Sequence, residues 1–350
     1  RFRLSLHYTL HIAHYTRLLR PPRVLAMKGR SWTVGVDFGG TNIKCGIVDA
    51  RGRVARAVSV PTNQCAAPRT FVNGVARAAD ALARSEGLRA SQLRGVGIGA
   101  PGLIDAAHGV VHSLVNVPGW HDVPLASRLS SRLRIPVRVE NDANLVALGE
   151  SRFGAGRGAR SLLCLTLGTG VGGGLVLDGR LYRGVSGAAG EIGHMVIDRG
   201  GARCGCGRRG CLEALVGTAA ILRLGRQALR QGAPRLRALV RREGRLMPRL
   251  IGRAARAGEV PAQRVWVEIG RRLGLGLANL VNLLNPDCIV IGGGVANNWS
   301  SFYPTLIKTL RAEAMDVPGC AVRVVRSRLG DKAGILGAAV LVWDELGGTG

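Results

Sequence analysis

Apolar runs broken by short glycine turns organise the chain from residue 32 onward. "WTVGVDFGGTNIKCGIVDARGRV" is an apolar run, a glycine turn, a second run, a "DARG" turn and a third run, which predicts three strands joined tightly. "SLLCLTLGTGVGGGLVLDGRLYRG", residues 161–184, repeats that order about 130 residues later. Two like units predict an internally duplicated α/β fold. Each would aim the backbone N–H groups of a glycine turn into the space between them, and facing lobes of this kind leave a cleft. Between the units, "QLRGVGIGAPGLID" (92–105) and "IPVRVENDANLVALGESRFG" (135–154) read as strand, polar turn, then helix. "VWVEIGRRLGLGLANLVNLLNP" (265–286) predicts a long apolar helix ended by Pro286. "DCIVIGGGVANN" (287–298) predicts a buried strand entering a triple-glycine turn, and "DKAGILGAAVLVWDEL" (331–346) another helix. Segment 221–264 carries twelve arginines against Glu243 and Glu259, with glycines and prolines interrupting any long helix, and reads as a surface helical excursion.

Three regions are expected: a disordered leader over 1–30, a small α/β lobe of 31–142 plus 331–350, and a large α/β lobe of 143–330. The leader contains no acid and has the arginine-rich look of a transit peptide, while "MKGRSWTVGVD" from Met27 reads like a natural start.

Composition narrows the class. The 350 residues are 47% hydrophobic with 52 glycines, which suits a soluble enzyme rich in tight turns. No stretch of about 18 uncharged apolar residues predicts a membrane span. Formal net charge is +27, and only Lys28, Lys44, Lys308 and Lys332 are lysines. A basic chain can bind nucleic acid, polyphosphate or an anionic surface. Here the arginines are spread along the whole chain without aromatic interleaving, which favours a GC-rich coding bias over a specific nucleic-acid partner. Cys45, Cys65, Cys164, Cys288 and Cys320 are scattered and read as reduced thiols, so a cytoplasmic compartment fits.

The glycine turns carry the first chemistry. "DFGGTNIK" (37–44) sets Asp37 before Gly39, Gly40 and Thr41, with Lys44 beyond. Glycine lets backbone N–H groups approach a phosphate closely, Thr41 adds a hydroxyl and Lys44 a charge. Asp37 would repel phosphate unless a divalent cation lay between them, so magnesium held through water is implied. "GTGVGGG" supplies a second phosphate turn at Gly168, Thr169 and Gly170, and "GGGVAN" a third at Gly293 and Gly294. None has P-loop or dinucleotide spacing.

"VENDAN" (139–144) follows the strand "IPVRV". Asp142 can serve as general base, accepting the proton of a poorly nucleophilic hydroxyl, and Asn141 can orient a sugar through its amide. The competing reading is a plain helix cap, since both residue types favour that position.

Cys204, Cys206 and Cys211 follow His194 at C-x-C-x₄-C spacing, ten residues downstream. Three thiolates and an imidazole satisfy a closed tetrahedral structural zinc site. A disulfide would leave one thiol over, and a redox pair lacks C-x-x-C. Clamping this segment would fix Glu191 and Glu213, which flank the ligands, where hydroxyls can donate to them.

"DFGGTNIK", "GIGAPG", "ENDAN", "LGTGVGGG", "GEIGH", "CGCGRRGCLE" and "IGGGVAN" stand in the order seen in the ROK family (repressors, open reading frames and sugar kinases), and the likeness runs over about 32–343. The chain most resembles the bacterial ROK glucokinases. That resemblance implies an actin-like or hexokinase-like ATPase fold of two lobes with duplicated ribonuclease-H-like units, and ATP, magnesium and structural zinc as cofactors. It implies Asp142 as base, zinc on His194, Cys204, Cys206 and Cys211, and sugar contacts from Glu191, His194 and Glu213. It places Asn116, in "VNVPGWHDVPL", and the backbone of Gly102 near the sugar, whereas Trp120 is expected to pack. A homo-oligomer, dimer or tetramer, is the family habit.

The expected activity is phosphorylation of the 6-hydroxyl of glucose. N-acetylglucosamine and N-acetylmannosamine kinases of the family carry the same cysteine motif and stay open. A sugar-responsive repressor is the rival from another class, but residues 1–36 lack a helix–turn–helix pattern and Asp37, often lost in repressors, is present. Polyphosphate as donor ranks lower, because ROK polyphosphate glucokinases generally lack the cysteine-rich segment.

Overall fold

A computed structural model describes residues 31–114 and 117–347. The leader at 1–30, Asn116 and the last three residues lie outside the described residues. The chain opens with β1 (Trp32–Phe38), β2 (Asn42–Asp49) and β3 (Val54–Pro61), then α1 (Pro68–Ser85) and β4 (Val96–Ala100). β5 (Gly102–Asp105), β6 (Val110–Leu114) and β7 (His121–Val123) precede α2 (Leu125–Leu133), β8 (Val137–Asn141) and α3 (Asp142–Phe153). The second unit begins with β9 (Leu162–Leu167), β10 (Val171–Leu177) and β11 (Arg180–Leu181). The helices α4 (Leu212–Val216), α5 (Thr218–Arg230), α6 (Pro234–Glu243), α7 (Pro248–Arg256) and α8 (Val260–Leu284) follow. The chain ends with β12 (Cys288–Gly292), α9 (Trp299–Glu313), α10 (Asp316–Ala321), β13 (Arg323–Arg326) and α11 (Ala333–Gly347).

The duplication expected from the glycine-turn units is visible strand for strand. One five-stranded sheet runs β3-β2-β1-β4-β8 and the other β11-β10-β9-β12-β13. In each, three antiparallel strands joined by tight turns are extended by two strands parallel to the central one.

Both sheets are covered on two faces, which explains their nearly unbroken apolar runs. Leu163, Leu165 and Leu167 of β9, with Ile289 and Ile291 of β12, face a core shared with α5, α7, α8 and α9. The alternate residues Leu162, Cys164, Cys288 and Val290 face α3 and α11. Those two helices pack together between the sheets, α11 also lying on β1 and β4. Val34, Val36 and Phe38 of β1 turn the other way, into a core with α1 and α2. Trp120 packs there against Phe38 and Phe71, its Nε1 donating to the Ala66 carbonyl.

Two local expectations are corrected. "GAPGLID" does not enter a helix: after β4 the chain turns at Gly102 into β5, which pairs with β6 in a three-stranded sheet with β7. At 135–154 no turn intervenes, since β8 ends at Asn141 and α3 starts at Asp142. The arginine-rich segment is helical, as expected, and resolves into α5, α6, α7 and the start of α8. Pro234 and Pro248 start α6 and α7, where a missing N–H costs nothing. Leu250 and Ile251 of α7 are fully buried, and each contributes roughly 2 kcal/mol by leaving water.

The chain passes from the first sheet to the second after α3 and leaves the second sheet after β13. Buried Glu150, near the end of α3, ties both passages. It accepts from the Ala155 N–H at 2.7 Å, and from the Ser327 hydroxyl and the Leu329 N–H at 2.5 and 3.0 Å.

Candidate active site and metal cluster

The strands β1, β4, β8, β9 and β12 finish at the rim of a cleft of about 700 Å³, bordered by Gly40, Asp142, Gly170, His194, Glu213 and Gly293 among others. Carboxyl ends of parallel strands are where α/β sheets bind ligands, because the loops leaving them splay apart.

Asn141 does cap α3, its Oδ1 accepting from the Ala143 and Asn144 N–H groups at 2.9 and 3.3 Å. Asp142 is the first helical residue. Its Oδ1 accepts from the Ala143 N–H at 2.8 Å, while its Oδ2 has no partner among the described residues. Burial raises the Asp142 carboxyl above its ordinary range, against the pull of that N–H. The cap reading therefore holds for Asn141, while Asp142 keeps an oxygen for the cleft.

The first glycine turn is built from backbone. The Gly39 N–H donates to the Asn42 carbonyl at 3.0 Å. Thr62 braces it, its hydroxyl donating to the Gly39 carbonyl at 2.7 Å and its N–H to the Thr41 carbonyl at 2.9 Å. Asp37 lies opposite Lys44 in the β1–β2 register, and the Lys44 ammonium meets Asp331 at 3.2 Å. Burial pushes the Asp37 carboxyl up to about 6, the charges of Asp142 and Asp331 add to it, and Lys44 opposes it. Three carboxylates against one ammonium would repel a bare phosphate, and carboxylate oxygens are the donors that a magnesium ion takes.

In the second turn the Gly168 N–H donates to the Gly170 carbonyl at 2.9 Å, and the Thr218 hydroxyl at the start of α5 donates to the Gly168 carbonyl at 2.7 Å. Thr169 is exposed at the crest. Glu213 lies over Gly170, and its Oε2 accepts from the Val171 N–H at 3.0 Å. In the third turn Gly293 has φ 83°, and a Cβ there would sit 2.3 Å from the Leu167 carbonyl oxygen, so only glycine fits. Gly294 starts the 3₁₀ turn that follows.

The ligating atoms of His194, Cys204, Cys206 and Cys211 all lie within 4.8 Å of one another. The sulfurs of Cys206 and Cys211 are 3.6 Å apart, as are the Cys204 sulfur and His194 Nδ1. A tetrahedron of zinc–sulfur bonds of about 2.3 Å has edges of about 3.8 Å, close to these two separations, so the three thiols and the imidazole are a donor set of the kind that could hold zinc. Burial pushes the Cys204 thiol up to about 12, while the Arg208 N–H draws Cys206 down to about 7. The other imidazole nitrogen, Nε2, lies 3.8 Å from Glu191 Oε2. His194 thus turns one nitrogen to the thiols and the other toward Glu191, beside the cleft.

The structure brings Asn141, Asp142, Glu191, His194 and Glu213 to one cleft with Gly40, Gly168, Thr169, Gly170 and Gly293. Sequence reasoning passed over Thr62 and Thr218, the braces of two turns, and Glu140, which accepts from the Asn141 N–H at 2.8 Å. Glu140 was signalled only by standing first in "ENDAN".

The sequence model of the ROK family matches residues 33–345. The glucokinase of Halalkalibacterium halodurans is 40% identical over 319 residues, covering 89% of this chain and 94% of that protein. The ROK glucokinase of Streptomyces griseus, solved in complex with glucose and AMPPNP, superposes with a TM-score of 0.74 at 35% identity, over 89% of this chain and 99% of that one. The ROK hexokinase of Thermus thermophilus gives 0.73 at 36% identity, over 91% and 100%. With an actin-like ATPase fold and relatives matched over nearly their whole length, the chain belongs to the ROK family as one of its sugar kinases.

Proposed function

We propose that the chain transfers the γ-phosphoryl group of ATP to the 6-hydroxyl of glucose, with Asp142 as general base. The observation that carries this reading is Asp142 itself: a carboxyl raised by burial, bordering a cleft that holds glycine turns and the Glu191, His194 and Glu213 side chains. A raised carboxyl accepts a hydroxyl proton more readily as the new O–P bond forms. Glu191, Glu213 and His194 accept from or donate to ring hydroxyls and turn the hexose toward Asp142. The N–H groups of Gly40 and Thr41 in the first turn, and of Thr169 and Gly170 in the second, receive the phosphates. Magnesium, where bound near Asp37, supplies charge neutralisation; zinc on His194, Cys204, Cys206 and Cys211 supplies rigidity. Residues 31–142 with the C-terminal helix act as one lobe and 143–330 as the other, and closure over sugar excludes water.

A coupled ADP assay with Mg-ATP and glucose, mannose, N-acetylglucosamine or N-acetylmannosamine tests this. Glucose is expected to give the highest kcat/KM, and Asp142→Asn to lower kcat by about 10²- to 10⁴-fold with a small change in glucose KM. No ADP from any hexose, or an Asp142→Asn enzyme as fast as the wild type, refutes it.

A further inference from the structure

An ion pair joins the two halves of the molecule next to the cleft. Glu140, in β8 of the first sheet, is only 2% exposed. Arg183, just past β11 at the edge of the second sheet, donates from Nε to Glu140 Oε2 at 2.6 Å. The other carboxylate oxygen accepts from the Asn141 N–H at 2.8 Å and from Asn144 Nδ2 at 3.0 Å. Arg183 also donates from Nη2 to Glu345 of α11 at 2.8 Å. A carboxylate this deeply buried is tolerated only when its oxygens are matched by donors, so each donor is held firmly.

The partners on both sides lead to the proposed chemistry. The Asn141 amide stands immediately before Asp142, and Asn144 lies in the first turn of α3, so Glu140 grips the turn that carries the base. Asn144 borders the cleft, and because its Nδ2 must face the carboxylate, its amide orientation is set; its Oδ1 is buried without a partner among the described residues. On the other side, the Arg183 carbonyl accepts from the Ala189 N–H at 2.9 Å and closes the loop that runs on to Glu191. Neither Glu140 nor Arg183 borders the cleft.

We infer that Arg183 and Glu140 are a positioning pair across the two halves, docking the Glu191 loop onto the Asp142 turn so that hexose capture and proton acceptance share one geometry. This rests on the hexose kinase reading above. The test uses the full chain with Arg183→Met, Arg183→Lys, Glu140→Gln and the double variant, each checked for folding by circular dichroism and melting. Arg183→Met is expected to raise hexose KM about tenfold and lower kcat about tenfold, with the KM for ATP changed less than about twofold. Glu140→Gln is expected to lower kcat and shift the acid limb of its pH profile, which loss of fold stability alone would not do. Arg183→Lys is expected to restore part of the loss, and the double variant to be no worse than the poorer single variant, as for residues acting as one unit. Folded single variants with wild-type hexose KM and pH profile, or losses that multiply in the double variant, overturn the pair. If Glu140→Gln does not fold, the two Arg183 variants decide. A wild type that turns over no hexose overturns the kinase reading and the pair with it, whereas an active wild type with unaffected variants overturns the pair alone.

Discussion

If the cysteine cluster holds zinc, as proposed, removing that ion should weaken hexose handling and the second phosphate turn together. Cys211 immediately precedes α4, and two residues later Glu213 accepts from the Val171 N–H at 3.0 Å. Its other oxygen lies 3.6 Å from the Cys204 sulfur. On the far side, His194 Nε2 is 3.8 Å from Glu191. One ion would therefore brace both acids and, through Val171, the strand leaving the 168–170 turn. A hydrogen bond to a charged group contributes about 1.5–3 kcal/mol. Loss of the Glu213 bond alone then corresponds to a fall of about 10- to 150-fold in hexose kcat/KM. The assay compares protein as purified, protein stripped by a strong chelator, and stripped protein given back zinc, with metal content read by elemental analysis. Glu213→Gln is the companion variant: it should keep zinc and lose most of the same kcat/KM. Since thiols must shed protons to bind the ion, stripping should become easier as pH falls. Stripped, zinc-free protein with an unchanged hexose kcat/KM would refute the reasoning, and so would purified protein that is active yet holds no metal.

Two further outcomes follow from close contacts and from charge. A Cβ at Gly97 would sit 2.0 Å from the Ala338 carbonyl oxygen of α11, about 1 Å inside contact distance against backbone on both sides, so Gly97→Ala should cost about 3 kcal/mol or more; an unchanged urea midpoint would contradict it. The Asp37 carboxyl is pushed up to about 6, so the folded state binds its proton more tightly than the unfolded chain, and this group's contribution to stability declines as pH rises from about 4 through about 6. Asp37→Asn should accordingly raise the melting temperature of the ligand-free protein above that range. In the wild type the extra stabilisation by magnesium nucleotide should grow over the same interval, as the cation displaces the proton. Melting curves of both proteins across about pH 4 to about pH 8 check this, and identical pH dependences would refute it.

What could be read along the chain was what contiguous residues carry. Strands β1 to β3 and β9 to β11 are joined by turns a few residues long, so their alternation and glycine punctuation announce both units and hence the duplication. The cysteine cluster is legible for the same reason, because residues 194–211 supply all four donors. Illegible parts fall into two kinds. Some elements are too short for a period to register: β7 has three residues and β5 four, so "GLID" gave no warning of a small sheet. In α6 and α7, a polar composition masked a narrow apolar stripe, and prolines that read as interruptions are the first helical residues. Other features depend on partners from distant segments. Glu140 meets Arg183 across 43 positions, Glu150 meets Ser327 across 177, and Arg152 meets Asp344 across 192. No local pattern encodes such a pair, since each residue alone looks like an ordinary charge beside a motif. The first pair joins the two sheets, the second ties α3 to the segment after β13, and the third ties α3 to α11. A family motif therefore names the groups that face the substrates, while the groups that bring the halves into register are visible only once the chain has folded. Variants that alter coupling between the halves and leave the chemistry intact are accordingly to be sought at Glu140, Glu150 and Arg183, outside the glycine turns.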